Sequence, residues 1–486
     1  LRHMEDPRMP SQPINRRRFL RNSALVSVGL TVGNRSAARA AQGTSANDRI
    51  LIGCMGLGGR GQYLAESFAR RAVKQKDCEV VYVCDVREGN LRAGVNLVKK
   101  HQGKEPKAVD DFRRMLDDKD VDALVIATPD HWHALPVVWG AQAGKHSYVE
   151  KPASHSIWEG RKMVEAARKY NKVVQLGTQT RSSEYMLKCI DYIQAGKMGS
   201  IHLVKVYNMM PKRSNAKPVP DGDPPKGFDY EKWLGPAPMR PYNAQRVGNW
   251  NWWWDYSGGD IINDGVHQMD LANWVIGHQS PTAVYCSGGK LAVDDPLEAP
   301  DTQTVVYDFP KMTMTFELAM WTPYMNKIDM RLRDGDYFCD WSFNATRVEI
   351  YGTKEMMMLA RHGGGWQAFK NGQKDATVIK RDKDKEWKET HKVSAAIESG
   401  FCHGLQGNPW HQDNFLKCIR SGQRPNADIE WGHLSTVLCH LGNISYRVGC
   451  QKLLWDGQKE TFTNSEEANK LIKRTYRDPW VIKEEV

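Results

Sequence analysis

Over roughly residues 50–180 the hydrophobic pattern switches repeatedly between short apolar runs and 3.6-residue periodicity. Ile50-Leu51-Ile52, Glu79–Cys84, Ala123–Ala127, His146–Glu150 and Val173–Gly177 read as buried strands. Between them, Tyr63 to about Val73, Ala134 to near Gly144 and Ile157–Tyr170 carry helical spacing, with Gly144 placed as a helix-terminating glycine. Strands alternating with helices of this length predict βαβ units and a parallel sheet. The second half reads differently. Strand-like segments recur at Ala283–Ser287, Gln303–Asp308, Met312–Leu318, Arg347–Tyr351 and Met356–Leu359, separated by turn residues, which predicts an antiparallel meander. Helices are expected at Trp410–Ile419, at Gly432–Tyr446 and after Asn464, read as an N-cap. Residues 210–248 are rich in Pro, Gly, Asn and Lys and read as long surface loops.

Composition narrows the class. The chain has 486 residues, 41% hydrophobic and 26% charged, enough for two or three domains with large cores. No apolar run is long enough to span a membrane. The net charge of +11 points to nucleic acid only until it is located, because the first 48 residues hold eight arginines and three acidic residues. The rest is spread without a basic block beside aromatic residues, so no nucleic-acid partner is expected. Ten cysteines show no C-x-x-C or zinc-type spacing, and no metal site is expected.

The N-terminal stretch reads as an address. Arg16-Arg17-Arg18-Phe19-Leu20 precedes the mildly apolar Ala24–Val32 and the small-x-small Ala38-Arg39-Ala40. This order resembles a twin-arginine export signal over residues 1–41, with residues 1–8 reading as a cloning remnant. A periplasmic or otherwise exported protein is the expectation.

Gly56-Leu57-Gly58-Gly59-Arg60-Gly61 directly follows the first strand and opens the first helix, and Asp85 closes the second strand. In that context G-x-G-x-x-G is a dinucleotide fingerprint. Gly56 permits the tight turn, Gly58 lets backbone N–H groups reach a pyrophosphate, and Gly61 lets helix and strand approach. The helix N-terminus favours phosphate, and Asp85 would accept from ribose hydroxyls and repel a 2′-phosphate, so NAD is expected over NADP.

Glu150-Lys151-Pro152 at a strand end, Thr128-Pro129-Asp130-His131-Trp132-His133, Gly144-Lys145-His146, the run from Val174 and the stretch Gly258–Asp270 resemble the glucose–fructose oxidoreductase, inositol dehydrogenase and MocA family. The resemblance runs from about Arg49 to the end. It implies an α/β protein: a Rossmann domain (48–180), then a C-terminal α/β domain (181–486) with a large open, mostly antiparallel sheet that often forms the interface of a homo-oligomer, dimer or tetramer. It implies that Gly56, Leu57, Gly58, Arg60, Gly61, Asp85, Thr128, Pro129, Glu150 and Gln179 contact the cofactor, and that Lys151 lies beside the nicotinamide and the reacting hydroxyl. His131 and His133 follow a strand end, where one touches the cofactor or both merely pack the loop. His267 is the second catalytic candidate. The family carries Asp four residues before it; here Asn263 stands there and Asp264 is one residue on, as relay or helix cap. Arg181 is a substrate ligand or a buried ion-pair partner. Trp253 and Trp254 stack on a sugar or pack a core.

The leading expectation is an exported NAD(P)-dependent oxidoreductase of a sugar or polyol, with its nicotinamide held tightly because free NAD is scarce outside the cytoplasm. A redox-neutral glycoside hydrolase or epimerase acting by transient sugar oxidation is the alternative, and a non-catalytic carbohydrate-binding protein a further one.

Overall fold

The computed structural model describes residues 49–213, 216–321, 341, 344–361, 365–370, 379–381, 387–389, 397–402, 404 and 407–486. The expected leader falls outside them.

Six parallel strands form the first sheet: β1 (Ile50–Met55), β2 (Cys78–Cys84), β3 (Lys107–Val109), β4 (Ala123–Ile126), β5 (His146–Val149) and β6 (Val174–Leu176). Their order is 3-2-1-4-5-6, the doubly wound arrangement whose ligand crevice lies where the order reverses, beyond the carboxyl ends of β1 and β4. Covering helices are α1 (Gly59–Lys74), α2 (Glu88–Gln102), the short α3 (Arg113–Asp117), α4 (Ala134–Gln142) and α5 (Ile157–Lys169). α1 buries Leu64, Ala65, Phe68, Ala69 and Ala72 against Ile52, Cys54 and Val80, as its periodicity predicts. α2 and β3 lie where the sequence reading places nothing.

After α6 (Glu184–Gln194), β7 (Ile201–Met209) enters a second sheet. Short helices α7 (Tyr230–Leu234) and α8 (Ala244–Gly248) punctuate the loop-rich insert, and α9 (Val266–Val275) follows a π turn at Ile261–Gly265. The sheet continues with β8 (Ala283–Gly289), β9 (Thr302–Phe309), β10 (Met312–Ala319), β11 (Arg347–Gly352), β12 (Glu355–Ala360) and β13 (Trp366–Lys370). β14 (Ile379–Arg381) and β15 (Trp387–Glu389) pair separately, and β16 (Ile397–Cys402) is an edge strand. Helices α10 (Asn408–Ser421) and α11 (Ile429–Arg447), hairpin β17 (Leu453–Asp456) and β18 (Thr461–Phe462), and α12 (Glu466–Lys470) complete the order.

The ten-stranded sheet runs 16-13-12-11-7-10-9-8-17-18. It departs from a pure meander because β7 is inserted between β11 and β10, with β7 and β10 paired in parallel, and because β16 and β17 join as non-sequential neighbours of β13 and β8. The chain leaves β7, crosses the face through α9 and returns two strands later. Val204, Val206, Met314 and Phe316 meet Val266 and Met269 across that face. The helix expected after Asn464 is capped instead by Ser465, whose side chain accepts from Ala468 N. Asn464 accepts from Leu454 N.

The last helices return to the first sheet. Phe415, Leu416 and Cys418 of α10 share a core with Ile50, Ile52 and Val125. Leu176 N donates to Ala427 O at 2.8 Å, and Trp480 and Ile482 pack in the other core of the parallel sheet.

Candidate active site

The glycine turn is shaped by close approach. Gly56 has φ +82°, and a Cβ there would lie 2.7 Å from Thr128 N. A Cβ on Gly61 would lie 1.7 Å from Gly56 O, so only glycine lets α1 dock on β1. A Cβ on Gly58 or Gly59 would meet nothing within 4 Å, so these two face open space. Gly58 precedes the first turn of α1, which carries no side-chain cap and no acidic residue. That is an N-terminus left free for an anion.

A cavity of about 420 Å³ opens at this turn. Gly56, Gly58, Gly59, Arg60, Asp85, Thr128 and Pro129 line one side. The buried Thr128 hydroxyl on this wall has no protein partner. Cavity, uncapped helix, open glycines and orphaned hydroxyl together fit a dinucleotide. Leu57 takes a different part: its side chain is fully buried near Gly94, and its N–H donates to Asp85 Oδ2 at 2.7 Å. Asp85 Oδ1 accepts from Arg87 N at 2.8 Å, so this carboxylate braces the turn as well as facing the cavity.

Deeper in the crevice, Arg60 Nε donates to Glu150 Oε1 at 2.7 Å, and Gln179 Nε2 reaches the same oxygen at 3.1 Å. Burial works to raise the Glu150 pKa, but Arg60 and Lys151 outweigh it and hold the carboxylate below its usual range. Lys151 projects to the π turn. Its Nζ donates to Asn263 O at 2.5 Å and reaches Asn263 Oδ1 at 3.2 Å. Burial pulls the ammonium below the ordinary lysine value; Asp130, Glu150 and Asp264 oppose that shift. Asp130 is itself buried, which pushes it up, with His133 and Lys151 pulling the other way.

The π turn replaces the helix start expected near Asp264. Helical backbone has begun by Ile261, so Asp264 lies inside the turn and does not cap it. A π turn closes i to i+5 and recurs at functional sites. Here it brings together Asn263, Asp264 and, one α-helical step on, the buried His267. Asp264 pairs with Arg361 at 2.7 Å and lies 3.6 Å from Lys212. Asp260 accepts from Asn208 at 2.8 Å and from Asn263 at 3.1 Å, and Gln268 bonds Asn208 at 3.0 Å. Next to Lys151, β7, the π turn and α9 thus pack a cluster of polar side chains bonded to one another, most of it buried.

Other candidates lie elsewhere. His131 is fully buried, bonds Trp233 O at 3.0 Å, and is pushed down to about 3 by burial. His133 ties two loops, with Nδ1 2.7 Å from Pro152 O and Nε2 3.0 Å from Thr128 O. Arg181 is 1% exposed and bonds Asp270 at 2.7 Å, 4.7 Å over the Trp274 ring. It is the buried ion-pair partner rather than a group facing substrate. Trp253 lies 5.4 Å below the Arg246 guanidinium. Trp254 sits beneath Arg447, and its carbonyl accepts from His155. Both are partly buried in packing clusters. The tryptophans that reach the cavity are Trp132, Trp233, Trp250 and Trp480. Trp132 comes with the Thr128–His133 motif, whereas long-range packing brings Trp233, Trp250 and Trp480 there. Among the described residues no His, Cys, Asp and Glu group could hold a metal, and no helix is long and apolar enough to cross a membrane.

A Rossmann domain with an open-glycine crevice, joined to a mostly antiparallel sheet domain that faces it with Lys151 between, defines a two-domain NAD-binding oxidoreductase. The oxidoreductase family with an NAD-binding Rossmann fold matches residues 50–178, and its C-terminal alpha/beta domain matches 207–317 and 369–482. The chain belongs to this Gfo/Idh/MocA family. Myo-inositol 2-dehydrogenase of Thermotoga maritima is 23% identical over 80% of this chain and 94% of its own. The uncharacterized oxidoreductase YrbE of Bacillus subtilis is 28% identical over 50% of this chain and 57% of its own. A glycosyl hydrolase family 109 protein of Shewanella is 24% identical over 39% and 44%. The chain therefore spans about half the length of these last two. In fold, it matches the WlbA dehydrogenase of Bordetella pertussis in complex with NADH and UDP-GlcNAcA, with TM-score 0.58, 20% identity, and 84% and 99% of the two chains covered.

Proposed function

We propose that this chain is an NAD-dependent oxidoreductase of a sugar or polyol, exported by the twin-arginine route. The observation that carries the reading is the half-buried Lys151 ammonium, held by Asn263 between the Rossmann domain and a polar cluster of the second domain. When bound, nicotinamide supplies a hydride acceptor. Lys151 takes the proton of the reacting hydroxyl, which its lowered pKa favours. Asn263, the partly exposed member of the polar cluster, is placed to hold a neighbouring hydroxyl, and the buried Asn208, Asp260 and Gln268 brace it from behind. The carbohydrate reading draws on the likeness to an inositol dehydrogenase, and the export reading on the arginine-rich leader. Tyr285 and Leu454, exposed on the ten-stranded sheet, support a homo-oligomer.

The test is the protein itself incubated with a sugar panel. The bound nucleotide becomes reduced with one sugar class, read by its absorbance after denaturation. Cleavage of an aryl glycoside with no net NADH would instead select the redox-neutral hydrolase, which the likeness to family 109 proteins favours as second reading.

The choice of NAD over NADP rests on charge. Asp85, Asp110 and Asp111 line the cavity together with Arg87 and Lys232; Lys232 is paired to Asp110 at 2.6 Å and the Arg87 guanidinium lies 4.2 Å over the Phe228 ring, which leaves Asp85 as the carboxylate at the end of β2. Asp85→Asn removes one negative charge. It is expected to shift the NADP/NAD affinity ratio by about tenfold toward NADP, read by titrating tryptophan fluorescence.

A further inference from the structure

We infer that Arg361, helped by Lys212, is a positioning residue for the proton transfer: it holds the Asp264 carboxylate off Lys151, so the ammonium meets only neutral oxygens and gives up its proton readily. This inference rests on the role given to Lys151 above and names what tunes it.

Lys151 Nζ has two partners, the carbonyl and the side-chain oxygen of Asn263, and both are neutral. Three carboxylates lie close enough to favour its charged form, Asp130, Glu150 and Asp264. Each is engaged elsewhere. Glu150 accepts from Arg60 at 2.7 Å. Asp130 accepts from the Ser257 hydroxyl at 2.5 Å, and burial drives it toward its neutral form. Asp264 pairs with Arg361 at 2.7 Å, with both side chains only 9% exposed. The other titratable groups on these elements are His133, which bonds two backbone carbonyls, and the buried His267.

Asn263 and Asp264 are consecutive on the π turn, yet one serves Lys151 and the other serves Arg361. The cations come from two separate strand ends. Arg361 follows β12, and its carbonyl accepts from the buried Tyr185 hydroxyl at 3.2 Å. Lys212 follows β7, and its Nζ lies 3.6 Å from Asp264 and 3.5 Å from Asp260. The next residue, Arg213, is anchored to Asp295 at 2.8 and 2.6 Å. Two cations thus face the two carboxylates of the turn, and the turn offers Lys151 little net negative charge. A carboxylate robbed of its guanidinium would attract the ammonium and keep it protonated. In a site this poor in water the effect is larger than at a surface. Neither Arg361 nor Lys212 lines the dinucleotide cavity, so their replacement leaves that crevice alone.

The experiment uses the full chain. Lys151 is titrated directly, by trace labelling with acetic anhydride across alkaline pH and quantifying the acetylated peptide by mass. The pH profile of sugar-dependent nucleotide reduction is followed beside it. Arg361→Gln is expected to raise the labelling midpoint by about one pH unit and to move the rising limb of the rate with it. Arg361→Lys keeps the charge and should restore both. Lys212→Met, at a more exposed position, should move them the same way by less, and it carries the test if Arg361→Gln fails to fold. Asp264→Asn leaves the guanidinium without its anion and should move the midpoint down. A midpoint unmoved in every folded variant that lacks one of these cations overturns the inference, even where the rate falls, because a merely structural role lowers the rate and leaves the midpoint in place. A midpoint that moves while the limb stays upholds the effect of Arg361 on Lys151 and removes Lys151 as the group that takes the proton.

Discussion

Replacing Lys151 by methionine is expected to lower kcat/KM for sugar-dependent reduction of the bound nucleotide by about 10²–10⁴-fold, with nucleotide occupancy unchanged. Methionine keeps most of the stem and removes only the group that handles the proton. The Nζ atom contacts the Asn263 carbonyl and amide, and it does not line the dinucleotide cavity, so binding and chemistry separate. The pH profile supplies the sign. Oxidising a hydroxyl needs neutral Lys151, so the rate rises as pH passes through its pKa. Burial pulls that pKa below the ordinary lysine value, which moves the rising limb to lower pH. Asn263→Asp places an anion beside the ammonium and favours the charged form, so the limb should move back to higher pH. Lys151→Met should abolish the limb. A limb unchanged in both variants would assign the proton to another group, with His267 next in line.

Arg181→Met is expected to cost about 3–5 kcal/mol of stability, read from the denaturant midpoint. Arg181 and Asp270 are each 1% exposed, 2.7 Å apart, and Ser435 donates to the other Asp270 oxygen at 2.8 Å. Removing the cation leaves a carboxylate buried without its counter-charge, which is far costlier than losing the pair. Arg181→Met combined with Asp270→Leu should recover much of the loss, because neither charge is then stranded. A substrate-binding Arg181 would give the opposite pattern: a higher KM with the midpoint unmoved.

The parallel sheet and its glycine turn could be read from the chain because their signals are local. Gly56, Gly58 and Gly61 sit within six residues, directly between a strand and a helix. β7 also carried a readable signal, with Val204, Val206 and Asn208 inward and Lys205 and Tyr207 turned away, but its parallel pairing with β10 depends on a crossover of a hundred residues. At the catalytic end, Lys151 was marked by its motif, whereas its Asn263 partner follows from a π turn that no propensity encodes. Asp264 looked like a cap because aspartate favours helix starts, and the true start lies further back, after the glycine pair. Arg181 and Trp480 show the limit most clearly. What each does is set by Asp270 in one case and by Trp132 and Arg113 in the other, all remote in sequence.

The return of α10 and residues 427–482 to the first sheet also governs how the chain is made. Phe415 and Leu416 complete the core around Ile50 and Ile52, and Ala427, Ile429, Trp480 and Ile482 complete the core on the sheet's other side. A ribosome delivers the first half long before those side chains, and at roughly 5–20 residues per second the wait is tens of seconds. Through that interval the Rossmann sheet has its own helices but lacks the side chains that finish both of its cores, so full native packing comes only after the last fifth of the chain has emerged.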